Sequence, residues 1–361
     1  MGRPMTTVAW LTLCVAGSLA VNSSAEDAMR ATPRFRVEQR TTAPLLVSDR
    51  PYEDFQISYL NVIRDGKVWH MWYEAYDHNY KTDADGYLCY ARSTDGVDWE
   101  KPSLGQVEYG GNRDNNIVIA GSPIGGVHGH TVFIDPKASA MERFKLVFTK
   151  WINHEWQVYG GSSPDGIRWT LIGKPLLVRN SDTQTVCFRD GDLYRLYVRM
   201  WSKGLFAGQR LVGYTESGTF GDFPEPTMVL SPDEDAPPET NLYNSAATKL
   251  KDTVYVMFPS VYDAKTGVVV PHLAVSADGH SWERTGREPK LALGRAFDSK
   301  SIYVGPGAVP GDKPDTWWLY YVGFATGHDD TYESRVQRLG GSGRFLLVLE
   351  DPTNPPQGKQ E

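Results

Sequence analysis

The stretch Ser163-Pro-Asp-Gly-Ile-Arg-Trp169 has two near copies, Ser93-Thr-Asp-Gly-Val-Asp-Trp99 and Ser276-Ala-Asp-Gly-His-Ser-Trp282. A degenerate fourth copy runs from Ser217 to Phe223. Each follows a short alternating run, such as Gln157-Val-Tyr-Gly-Gly before the first quoted. The pattern reads as a tight hairpin between two strands. The aspartate accepts from nearby backbone amides, the glycine takes a positive φ, and the tryptophan folds back over the turn. These aspartates are therefore expected to be structural.

Working outward, a pair of strand-like runs precedes each hairpin. The first is Ile57–Arg64, a turn at Asp65-Gly66, and Lys67–Tyr73. Similar pairs occur at 131–134 with 144–149, 185–189 with 193–198, 245–250 with 253–258, and 301–304 with 317–322. The last unit has a final strand near 333–338, and either 345–349 or 35–47 would complete the ring. Almost no segment carries a convincing 3.6-residue apolar stripe. Five units of short antiparallel strands predict an all-β fold, a single five-bladed β-propeller. No long Ser/Pro/Gly linker divides residues 35–350, and Ser231–Thr240 reads as a loop between units.

Phe, Tyr and Trp make up 12% of the 361 residues, enough rings for a large core and for a groove lining. Lys+Arg 37 against Asp+Glu 44 gives a net charge of −7 without a basic block, which excludes a phosphate-tracking nucleic-acid binder. Arg3, the apolar run Val8–Val21 and the small residues Ser23 and Ala25 read as a signal peptide over residues 1–25. Residues 26–361 would then be the mature domain, secreted or periplasmic, with no stable membrane insertion after cleavage. Of the three cysteines, Cys14 lies in the signal. Cys89 and Cys187 read as two buried thiols, with one disulfide left open.

Propeller connectivity orders the chemistry. Side chains just before each inner strand and just after each second strand converge at one end of the channel, and the hairpins fall at the other. Before inner strands lie Asp54, His128, His130, Asp182, Asn244 and Asp298. After second strands lie Glu74, Trp151, Arg199, Trp201 and His328. Asp54 at a strand entrance suits a base or nucleophile. Glu74 closes the ring-rich run Trp69-His-Met-Trp-Tyr-Glu74, where burial would hold a proton near neutral pH. Glu74, Asp182 and His130 are the proton-donor candidates. His128, Trp151, Arg199, Trp201, Asn244, Asp298 and His328 are placed as substrate-binding groups. Carboxylates around a ring-lined pocket fit glycosidic hydrolysis. No cofactor is demanded. A structural divalent ion such as calcium would fall to His128, His130 and the channel acids.

The blade texture, the run ending at Glu74 and the repeated Ser-x-Asp-Gly-x-x-Trp hairpins resemble the five-bladed β-propeller glycoside hydrolases, through most of residues 45–340. That group spans arabinanases and xylosidases, invertase-like enzymes, anhydro-galactosidases and mannoside phosphorylases. The resemblance implies that Asp54 is base or nucleophile. Where such enzymes carry a second-blade aspartate, this chain reads His128-Gly-His-Thr. Where they carry a third-blade glutamate, it reads Ser181-Asp-Thr-Gln, which makes Asp182 the carry-over. In the anhydro-galactosidase group a histidine serves as the acid, which points to His130. The expected function is hydrolysis of a poly- or oligosaccharide. The alternatives are a non-catalytic carbohydrate-binding propeller and, behind it, a glycoside phosphorylase.

Overall fold

Strands dominate the computed structural model, which describes Gly2 and residues 32–179, 181–204, 206–330 and 340–351. The expected signal peptide, Gly2 apart, and the strand expected at 333–338 lie outside the described residues. Residues from Arg34 onward make one unit.

Four sheets of four antiparallel strands follow one another along the chain. The first comprises Gln56–Asp65, Val68–Tyr76, Tyr87–Ser93 and Ile117–Ala120. The second comprises His128–Ile134, Phe144–Ile152, Glu155–Ser163 and Thr170–Leu171. The third comprises Val186–Asp190, Leu193–Trp201, Arg210–Ser217 and Thr227–Leu230. The fourth comprises Thr248–Lys251, Val254–Met257, Ala274–Ser276 and Glu283–Arg284. Among the described residues the last sheet has nine strands. Ser301–Val304, Thr316–Phe324 and Gly340–Leu349 run in chain order, and Phe35–Glu38 pairs outermost, Phe35 opposite Leu349. The chain's early strand thus covers an edge that its late strands would leave open. The insertions Thr240–Leu242, Ser260–Asp263 and Val269–Pro271 join this sheet on its inner side.

The core explains why the strands read as nearly continuous apolar runs. Successive side chains of a strand face opposite ways, and here both faces are covered. Val186 packs with Tyr197 and Met257 toward the fourth sheet, while Cys187 packs with Val147 and Leu196 toward the second. Five such clusters separate the first sheet from the second, the second from the third, and so on around to the last and the first. The arrangement is propeller-like. Cys89 and Cys187 are both buried free thiols.

The repeated hairpins have the expected geometry. Asp165 Oδ1 accepts from the amides of Ile167 at 3.0 Å and Arg168 at 2.9 Å, and Gly166 has φ +73°. Asp95 and Asp278 do the same for their turns. The structure adds a grip that the sequence does not show. Each turn glycine offers its carbonyl to an aromatic donor of the preceding sheet: Trp72 to Gly166, Tyr197 to Gly279 and Tyr320 to Gly96. A Cβ on Gly166 would lie 2.6 Å from Trp72, so the close approach itself requires glycine. Asp165→Ala is expected to cost about 1–2 kcal/mol, by analogy with the loss of a side-chain cap. A lowered melting temperature with unchanged turnover of the folded fraction is the expected result. A large loss of turnover in folded protein would move the chemistry to the hairpin end.

Candidate functional site

Near the ring's centre, buried amides cross between sheets. Asn61 exchanges two hydrogen bonds with the backbone of Val132, at 2.8 and 3.0 Å. Gln184 donates to Leu60 O at 3.0 Å and His130 O at 3.2 Å, and Asn244 donates to Val304 O at 3.2 Å. Asn244, expected as a substrate ligand, is thus committed to holding the inner strands together.

At the end predicted by connectivity lies a small, part-open cavity. Its wall is aromatic and polar: Tyr59, Tyr76, Tyr243, Tyr303, His128 and His328, with Asp83 among them. A larger opening lies among the turns at the other ends of the inner strands, such as Ile63-Arg64 and Phe188-Arg189. Its cations are held by acids or backbone: Arg189 by Asp135, Lys249 by Asp190, Lys251 by Asp315, and Arg64 by Gly66 O. The aromatic cavity is therefore the candidate site.

Glu74 lies inside the second strand of the first sheet, Val68–Tyr76, rather than after it as expected, and is fully buried. Its Oε2 accepts from Tyr76 Oη at 3.1 Å and Ser58 Oγ at 3.3 Å, and lies 3.4 Å from His128 Nδ1. Its Oε1 accepts from the Gly129 amide. That amide reaches Glu74 at a bulge where Gly129 has φ +62°. A Cβ there would lie 2.0 Å from Thr183 O, which accounts for a glycine between two histidines. Burial alone would raise the Glu74 pKa, but His128 and the hydrogen bonds outweigh it and hold the carboxyl at about 2. This corrects the expectation of a raised pKa. The rings beside Glu74 are visible in its own strand, whereas the histidines that charge it come from the next sheet. Arg64 is exposed and lies over Trp69, away from Glu74's hydrogen-bond partners.

Burial alone would lower the His128 pKa, and Glu74 reverses this, raising it to about 9. Nδ1 faces Glu74 and, at 3.2 Å, Tyr76 Oη, which leaves Nε2 as the nitrogen turned away from the pair. Trp156 and Tyr59 flank the ring at 5.2 and 5.4 Å. His130 is fully buried, 3.8 Å from Glu74 Oε1, and neither ring nitrogen has a hydrogen-bond partner. It is not among the cavity-lining residues.

The other expected residues fall in three places. Asp182 pairs with the buried Arg199 at 2.9 Å, and Arg199 also donates to Tyr243 O at 2.5 Å. Both support the wall through Tyr243. His328 lines the cavity, with Nδ1 2.8 Å from Tyr303 Oη. Trp151, exposed, and Trp201, half-buried, end second strands at the same face, each against another ring, Trp156 and Phe206. Asp54 is outside the cavity lining. Its carboxylate is 46% exposed and holds His78, through the amide at 2.8 Å and Nδ1 at 2.9 Å. Asp298 is also elsewhere, buried against Arg40 and accepting from Tyr321 Oη at 2.8 Å. Its partner stands 258 residues away in the chain, so no local signal reveals the pair.

Asp83 was not singled out from the sequence. It lies in the loop Lys81–Gly86, several residues past the strand end, where connectivity gives no weight. Burial raises its pKa, against a lowering pull from His128. Among the described residues, no group of three His, Cys, Asp or Glu side chains is placed to hold a metal ion.

No known family profile matches the chain. No curated protein matches it in sequence. Solved structures do match in fold. An N-acetylgalactosamine deacetylase from F. plautii, solved with blood group B trisaccharide, aligns at TM-score 0.59 and 15% identity, over 88% of this chain and 96% of that one. A family 117 glycoside hydrolase from Zobellia galactanivorans aligns at TM-score 0.56 and 14% identity, over 92% and 96%. A family GH32 β-fructofuranosidase from Bombyx mori aligns at 0.56 and 12%, over 89% and 66%. These likenesses show the fold, and they include a deacetylase as well as glycoside hydrolases, so the reaction has to be argued from the site.

Proposed function

We propose that this chain is an exported, five-bladed propeller glycosidase acting in the Tyr/His cavity. On this reading the fifth blade is Ser301–Val304, Thr316–Phe324, Gly340–Leu349 and Phe35–Glu38, with the remaining strands of that sheet as insertions. The observation that carries the function is the buried Glu74–His128 pair, whose histidine stands in the wall of a ring-lined cavity at the predicted end of the channel. The imidazolium is the proton donor to the departing glycosidic oxygen. Glu74 stays ionised and positions it, rather than giving up a proton itself. Asp83 is the carboxylate that activates water or attacks the anomeric carbon, since it lines the same cavity. Asp182 holds Arg199 and so shapes the wall.

The test is release of reducing sugar from a broad glycan panel by the mature chain and three variants. Asp83→Asn is expected to lose ~10²–10⁴-fold in turnover, the usual range for a positioned acid–base group. Asp182→Asn is expected to raise KM more than it lowers kcat. Asp54→Asn, the base expected from sequence, decides between the two acids. Near-full loss in Asp54→Asn with activity kept in Asp83→Asn would return the base to Asp54. Binding without hydrolysis of any glycan would favour the carbohydrate-binding alternative.

A further inference from the structure

Arg210 opens the third strand of the third sheet, paired across from Trp201 at the cavity end. Its guanidinium carbon lies 4.8 Å from the Trp201 ring, 5.3 Å from Tyr262 and 5.5 Å from Tyr243. Tyr243 belongs to both this cage and the cavity wall. The backbone amide of Arg210 donates to Asn241 Oδ1 at 2.9 Å, which fixes the strand end.

The guanidinium differs from every comparable one. The other half-buried or buried arginines among the described residues have a carboxylate within 4.0 Å, as Arg195 has Asp190 and Arg284 has Asp233, or donate to backbone carbonyls, as Arg344 does. Arg210 has neither, and its Nε is buried without an acceptor. Asp329, which approaches the same cage, is held by Tyr262 Oη at 2.6 Å. The chain carries more acids than bases, so a missing partner here is not a shortage of carboxylates. Aromatic faces hold a cation in place but leave its in-plane donors unspent. A fixed guanidinium fork with free donors matches a two-oxygen anion.

We propose that Arg210 is an anion subsite at the rim of the cavity, and that the glycan taken by this site carries an acidic group, a carboxylate or a sulfate ester. The inference rests on reading the cavity as a sugar site, but not on hydrolysis there.

The experiment is titration calorimetry of the full mature chain with three probes: an oligogalacturonide, a sulfated galactan oligosaccharide and a neutral galactan oligosaccharide. One acidic probe is expected to bind more tightly than the neutral one, and which one separates carboxylate from sulfate. Arg210→Gln is expected to weaken that probe roughly tenfold or more, the scale of a lost charge-assisted contact. Arg210→Lys should recover part of it, and the neutral probe should not respond to either variant. Tighter binding of the neutral probe, no binding of either acidic probe, or equal acidic binding by folded Arg210→Gln overturns the proposal. Arg210-dependent acidic binding with no turnover would keep this inference and sink the glycosidase. Hydrolysis confined to neutral glycans would do the reverse. If Arg210→Gln fails to fold, Arg210→Lys and the parent's own preference decide.

Discussion

His128→Gln is expected to cut turnover of natural glycosides by ~10²–10⁴-fold while leaving aryl glycosides with good leaving groups nearly as fast as before. The imidazole has Nδ1 committed to Glu74 and Tyr76, so the proton it can give is on Nε2. With its pKa raised to about 9, the ring is an imidazolium at neutral pH and can donate. An alkoxide leaving group needs that proton, and a nitrophenolate does not. The same assignment sets the basic limb of kcat/KM near pH 9, because activity falls as the donor loses its proton. Asp83 sets the acid limb. Its burial-raised pKa shifts the rise upward from that of an ordinary aspartate, since a base must be ionised to act. Equal loss on both substrate classes would remove His128 from the donor role. If His130→Ala alone shows the split between natural and aryl substrates, the acid is His130 instead.

The parts of this site that were legible in sequence are those fixed by position relative to a strand. Glu74 near the end of a second strand, and His128 at the start of an inner one, follow from connectivity once the hairpins place the strands. The hairpins are legible because their chemistry is local: Ser163, Asp165 and Gly166 satisfy one another within four residues. What sequence could not give are relations between sheets. The charge state of Glu74 depends on a histidine 54 positions later, brought alongside only by packing of the first two sheets. The commitment of Asp298 to Arg40 depends on the early chain returning to the last sheet. Tyr59, Tyr243 and Tyr303 have the composition of core strand residues, and only the inner-strand geometry turns them to a cavity. Arg210 is a further case, since an absent partner is invisible until all neighbours are in place.

Glu74→Gln should move the basic limb down from about 9, because burial then lowers the His128 pKa with only the charges of Asp83 and Asp182 left to oppose it. At neutral pH the variant would then hold a neutral His128 and lose kcat, with KM changed little. Acidifying the assay should restore part of the rate, which a purely structural role would not produce. Stability should respond in a separate way. Glu74 falls from 4.5 in the unfolded chain to about 2, so its contribution is fully present above pH 4.5 and is lost as pH falls toward 2. His128 rises from 6.5 to about 9, so its contribution is fully present below pH 6.5 and is lost as pH rises through 9. The pair therefore stabilises most between pH 4.5 and 6.5. Removing one partner of a buried ion pair costs about 3–5 kcal/mol, somewhat less for glutamine, which keeps an acceptor for the Gly129 amide. Melting curves of parent and variant should lie furthest apart in that window and converge at both extremes. A constant offset across pH would mean that Glu74 and His128 are not an ion pair, and an unmoved basic limb would mean that Glu74 does not set the donor.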